Sequence, residues 1–154
     1  MTERPADADT EASEALAHRI RTSFGRQGLM TLLGAEIIEI APGRVVIGLA
    51  RRPEVSQQHG YVHAGAVSAI ADSAGGYAGL TMMSGSSDVL TVEYKLNLLA
   101  PAIGDTLEAV GTVVKSGRTL SVCRLEVFAI DSSDRKLVAV GQQTLIQLPA
   151  RTDE

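Results

Sequence analysis

Asp72 is the only formally charged residue between Glu54 and Asp88. It stands in the run AGAVSAIADSAGGYAGLTMM, residues 64–83, which is made largely of Ala, Gly and Ser. A carboxylate in such surroundings is costly unless it is partnered or used. Used, it can act as a general base or as a nucleophile. Otherwise it is exposed, or satisfied by a hydroxyl such as Ser68 or Ser73. Just ahead of it lie Gln57 and His63. A helix starting near Ala64 would aim its unpaired N–H groups, and the positive end of its dipole, at any oxyanion placed there. The Gln57 amide could donate to or accept from a ligand. His63 stands at the helix start, either as an acid–base group or as a capping residue that orders the loop. His59 reads as loop surface.

These residues need elements to position them. Residues 1–10 read as a disordered tail. Residues 11–150 form a single domain, of which 11–33 is an N-terminal helical segment. Leu16, Ile20 and Phe24 recur at helical spacing from a start near Thr10, and Gly25 and Gly28 break the pattern. The β-branched runs Ala35–Ile40 and Arg44–Ala50 flank Pro42-Gly43 as a hairpin. After loop 51–63 comes the helix of Asp72. It is apolar on all sides, so it must be buried on most faces. Gly75-Gly76 cost it roughly 1 kcal/mol each against Ala, and close approach of another backbone is the expected return. Val89–Leu99, Thr106–Lys115, Thr119–Ile130 and Lys136–Leu148 then read as strands. In the first, Leu90, Val92, Tyr94, Leu96 and Leu98 share one face, with Thr91 opposite. An α+β domain follows, with one long central helix wrapped by a curved antiparallel sheet. Its exposed edge predicts a dimer with a continuous sheet.

Bulk properties narrow the function. A length of 154 residues suits one domain, and 45% hydrophobic with 21% charged residues is globular composition. A net charge of -4 and 3% aromatics disfavour nucleic acid as a partner. The single Cys123 cannot form an internal disulfide, and no Cys/His cluster has zinc spacing. It reads as inert core in preference to a reactive thiol. The acidic N-terminus lacks the marks of a signal peptide, and no apolar stretch of ~20 residues could span a bilayer. A soluble, cytoplasmic protein is the expectation.

The stretch from Gln57 to Met83 resembles the signature of the PaaI-like (phenylacetate-degradation) thioesterases of the hot-dog superfamily. Their pattern is Asn or Gln, then the His of an HGG, then an acidic residue. Gln57, His63 and Asp72 keep its spacing. TVEYKLNLLAP (91–101) and VKSGRTL (114–120) resemble the strand and hairpin that follow. The resemblance implies hydrolysis of an acyl- or aryl-CoA thioester, with coenzyme A as part of the substrate, no separate cofactor and no metal. It implies that the N–H of residue 64 polarises the thioester carbonyl. Here the chain departs from the family, with Ala64 where Gly is usual. The N–H survives the change, and a methyl can narrow the acyl site. Gly65 keeps the second glycine. Asp72 matches the general base or nucleophile, Gln57 the group that positions thioester or water, and Thr91 a hydroxyl that orients the water. In relatives the helix start and the acidic residue come from different subunits, which implies a homodimer or a homotetramer. Lys115, Ser116, Gly117, Arg118 and Thr119 resemble a nucleotide-contact region, or form a solvated turn. Two alternatives stand beside the thioesterase: a non-catalytic acyl-CoA-binding protein, and a hydroxyacyl-thioester dehydratase using His63 with Asp72.

Overall fold

The computed structural model describes residues 5–149. Two helices, α1 (Pro5–Phe24) and α2 (Gly28–Leu33), precede the hairpin β1 (Ala35–Ala41) and β2 (Arg44–Ala50). The helix α3 (Ala64–Leu80) follows, then β3 (Ser87–Leu98), β4 (Thr106–Ser116), β5 (Leu120–Asp131) and β6 (Asp134–Pro149). All strand pairs are antiparallel, in one six-stranded sheet of order β1-β2-β4-β5-β6-β3. α3 packs against this sheet, mainly over β4, β2 and β5. This is the expected α+β arrangement of a long central helix on an antiparallel sheet.

Local chemistry explains the elements. Pro42-Gly43 closes the first hairpin, with Gly43 at φ 75°, a conformation that favours glycine. The helix α3 is buried along most of its length, from Ala66 to Leu80. Its last turn is tied to the first hairpin through Thr81, whose hydroxyl accepts from Gly43 N–H at 2.7 Å. Large apolar side chains from both layers, including Ile47, Leu49, Ile70, Leu107, Leu125 and Leu145, fill the space between them. Cys123 lies in this interior, as expected, and burial pushes its thiol up to about 11.

Three expectations are corrected in detail. The first helix starts at Pro5, ahead of Thr10. Residues 5–10 of the expected tail are therefore helical, and residues 1–4 lie outside the described residues. Loop 51–63 contains a short 3-10 turn, Pro53–Val55, and a β-bridge between Ser56 and Val62. In β3 a bulge between Thr91 and Glu93 breaks the alternation. Thr91 lies opposite Leu145 and Tyr94 opposite Gln143, both buried positions of β6. Thr91 and Tyr94 therefore share the inward face, because directly paired antiparallel residues point the same way. The close backbone approach expected at Gly75-Gly76 comes from Gly111 of β4, where any Cβ would strike the backbone of Ala74 and Gly75. Gly75 itself makes room for the side chains of Gln143 and Leu125, whereas Gly76 faces open space.

Candidate active site

The helix α3 carries the two candidate chemical features at different places along its length. At its start His63 is the N-cap, with extended backbone (φ -61°, ψ 138°). Its Nδ1 accepts from Gly65 N–H at 2.8 Å. Gly65 allows this cap, since a Cβ there would lie 3.0 Å from Nδ1. The Gly65 N–H is thus committed within the protein. Ala64 N–H, at the first helical position, has no acceptor among the described residues. It opens on a cavity of about 530 Å³ lined by Gln57, His63, Ala64, Val67 and the Leu98–Ala102 segment that ends β3. The Gln57 carbonyl oxygen Oε1 accepts from His59 N–H, which leaves its NH₂ turned outward from that bond.

Asp72, half-buried in the middle of α3, lines a second cavity of about 340 Å³ together with Asp88, Val89, Leu90 and Thr91 at the start of β3. Its partners are neither Ser68 nor Ser73. The Thr91 hydroxyl donates to Asp72 Oδ1 at 2.7 Å, and Gln143 Nε2 donates to the same oxygen at 2.5 Å. Ser73 instead donates to Gln27 Oε1 at 3.2 Å. Gln27 Nε2 in turn donates to the Tyr77 hydroxyl at 2.8 Å. Phe24 packs edge-on against the Tyr77 ring, and Arg19 holds the Ser87 carbonyl at 2.6 Å. Helix α1 thereby closes one side of the Asp72 cavity.

The matched sequence decides the family. The thioesterase superfamily model matches residues 59–135, half of the chain. This chain belongs to the thioesterase superfamily. A thioesterase family protein from Silicibacter pomeroyi shares 41% identity with it, over 88% of this chain and 99% of that one, at a TM-score of 0.85. The PaaI protein from the phenylacetic acid degradation operon of Escherichia coli superposes at a TM-score of 0.80 with 21% identity, over 90% of this chain and 97% of that one. A thioesterase from Haemophilus influenzae does so at 0.76 with 20% identity, over 86% and 90%. The last two attest to a shared fold, the hot-dog fold of a helix packed on an antiparallel sheet.

Within this member of the superfamily, the structure brings Asp72 and Thr91 together, and it brings Gln57, His63, Ala64 and Gly65 together. It does not join the two groups in one protomer. Lys115 and Ser116 end β4, and Gly117, Arg118 and Thr119 form the turn to β5, closed by Gly117 N–H on Leu120 O; none of the five lines either cavity. Sequence reasoning missed Gln143, Gln27 and Tyr77. A signal existed for Gln143: in β6 it shares a face with Ala139 and Leu145, both fully buried, and an amide in that phase needs a partner. No helix among the described residues is long and apolar enough to cross a membrane. Among the same residues no cluster of three His, Cys, Asp or Glu could hold a metal ion.

Proposed function

We infer that this protein is an acyl-CoA thioesterase that hydrolyses an acyl- or aryl-CoA to the free acid and CoA. The observation that carries the reading is a half-buried carboxylate, held by two hydrogen bonds at the rim of a cavity, on the same helix as a vacant N–H. Ala64 and Asp72 are eight residues apart, roughly 12 Å along a helix axis. A single thioester carbonyl cannot meet both from one protomer.

Pairing of two protomers removes the difficulty. β3 is an edge strand that exposes Leu90, Val92, Tyr94 and Leu98, and a long apolar edge asks for a partner. If two β3 strands pair antiparallel about a two-fold axis, the Leu98 end of one meets the Ser87 end of the other. The Ala64 cavity of one protomer then faces the Asp72 cavity of its partner. The sheet becomes continuous across a homodimer, and two such dimers can assemble into a homotetramer.

In this site the thioester oxygen accepts from Ala64 N–H, where the helix dipole favours the developing negative charge. The Gln57 amide donates to the thioester or positions water. Asp72 takes a proton from a water molecule as that water adds to the carbonyl carbon. Collapse of the adduct breaks the C–S bond and releases CoA thiolate, which gains a proton, and the carboxylic acid. Acting instead as nucleophile, Asp72 attacks the carbonyl carbon, the C–S bond breaks and CoA thiolate leaves to gain a proton, and water then opens the resulting mixed anhydride to the carboxylic acid and free Asp72. Thr91, whose hydroxyl donates to Asp72 Oδ1, holds the carboxylate and can accept from the reacting water. Lys115–Thr119 at the sheet end are the candidates for the CoA phosphates, for which cationic and hydroxyl donors are the natural partners.

The test is a panel of benzoyl-, phenylacetyl- and hexanoyl-CoA with free CoA measured by a thiol-trapping reagent. Release by the native protein, and its loss by roughly 100-fold or more in Asp72→Ala, supports the reading. Binding without release points to a non-catalytic acyl-CoA-binding protein.

A further inference from the structure

Gln143 is fully buried on β6. Its Nε2 faces three acceptors: Asp72 Oδ1 at 2.5 Å, Thr91 Oγ1 at 3.0 Å and the Asp72 main-chain oxygen at 3.1 Å. Chemistry assigns that end of the amide as NH₂, since a carboxylate and a carbonyl can only accept. The other end, Oε1, is buried and has no donor among the described residues. A buried carbonyl left without a donor destabilises a fold, and in a native protein it calls for an explanation. The helix makes a second concession to the same amide. A Cβ on Gly75 would collide with Gln143 Oε1 and with Leu125, so α3 keeps a glycine in its interior, where glycine weakens a helix. An apolar side chain at 143 would remove the orphaned carbonyl, while Leu125 would still require the glycine at 75.

We propose that Gln143 is a positioning residue for Asp72, retained at a cost in stability. Its NH₂ and the Thr91 hydroxyl occupy Oδ1, and Oδ2 accepts from none of the described residues. The carboxylate is thereby locked in one rotamer with Oδ2 as the reacting oxygen. The assignment holds for either chemistry: Oδ2 accepts the water proton, or attacks the thioester carbon. It rests on the thioesterase reading given above only for its kinetic consequence.

The experiment compares wild type with Gln143→Met, which keeps length and volume but has no donor, and Gln143→Asn, whose amide is withdrawn by one methylene. In both, kcat falls roughly 10- to 100-fold while KM stays within about twofold, because misplacing a reacting group impairs the chemical step more than binding. The thermal midpoint of Gln143→Met equals or exceeds that of wild type. In a crystal structure of that variant, Asp72 occupies more than one rotamer. An unchanged kcat, a single wild-type rotamer of Asp72, or a loss of kcat that merely follows a lowered midpoint and a broken dimer overturns the assignment. A wild-type protein that releases CoA from no thioester sinks the thioesterase reading instead, and the rotamer still decides the role of Gln143.

Discussion

Two inactive variants should restore one another. Asp72→Ala removes the carboxylate. Ala64→Pro replaces the N–H hydrogen with a ring carbon and leaves the helix start intact, because proline lacks the N–H and fits the first turn of a helix. The residue before a proline must be extended, and His63, at φ -61° and ψ 138°, already is. Each homodimer should lose activity, by roughly 100- to 1,000-fold for the lost oxyanion donor. Ala64 and Asp72 lie roughly 12 Å apart on one helix, so in the proposed dimer each site would take its N–H from one chain and its carboxylate from the other. A mixed dimer therefore has one site with both groups intact and one with neither. With random exchange of equal amounts, about half of the dimers are mixed, and roughly a quarter of wild-type activity returns. The assay is CoA release after co-expression with two affinity tags, with mixed dimers isolated and counted by mass. Mixed dimers as inactive as their parents would refute the two-chain site.

Further outcomes follow from the same geometry. Cys123 should resist thiol reagents in the native protein near neutral pH and react on unfolding, since burial raises its thiol to about 11. The folded thiol titrates above the unfolded one, whose value is 9.0. Its contribution is therefore constant below pH 9 and makes the fold progressively less stable from pH 9 towards 11. Chemical denaturation across that range, compared with Cys123→Ser, checks the sign. Gln57→Ala should lower the rate of CoA release and leave the dimer intact by sedimentation; an unchanged rate removes Gln57 from the mechanism.

Much of the fold is legible in the residues. Pro42-Gly43 and the small-residue run around Asp72 mark a hairpin and a buried helix by chemistry that acts within a few positions. The bulge at Thr91–Glu93 is different. It is defined by pairing with β6, a strand far away in sequence, so alternation along β3 alone puts Thr91 on the wrong face. Pro5 at a first helical position and the acidic Asp7 and Asp9 behind it are ordinary start signals. At the site, Asp72 stands out because it is the single charge in an apolar helix. Its holders do not: the alternation of β6 marks Gln143 as an inward amide, but that it meets Asp72 emerges only once β6 is known to lie beneath α3.

The strand order places β6 between β5 and β3, and this has a consequence for biosynthesis. As the ribosome extends the chain, β3 emerges before β4 and β5 but has no neighbour until β6 follows. Through that interval its apolar edge stays open to other nascent chains, the condition in which strand-rich proteins aggregate. A fragment truncated ahead of β6 would also lack Gln143, so early release from translation leaves a sticky, inert product, and chaperone demand should peak just before the last strand arrives.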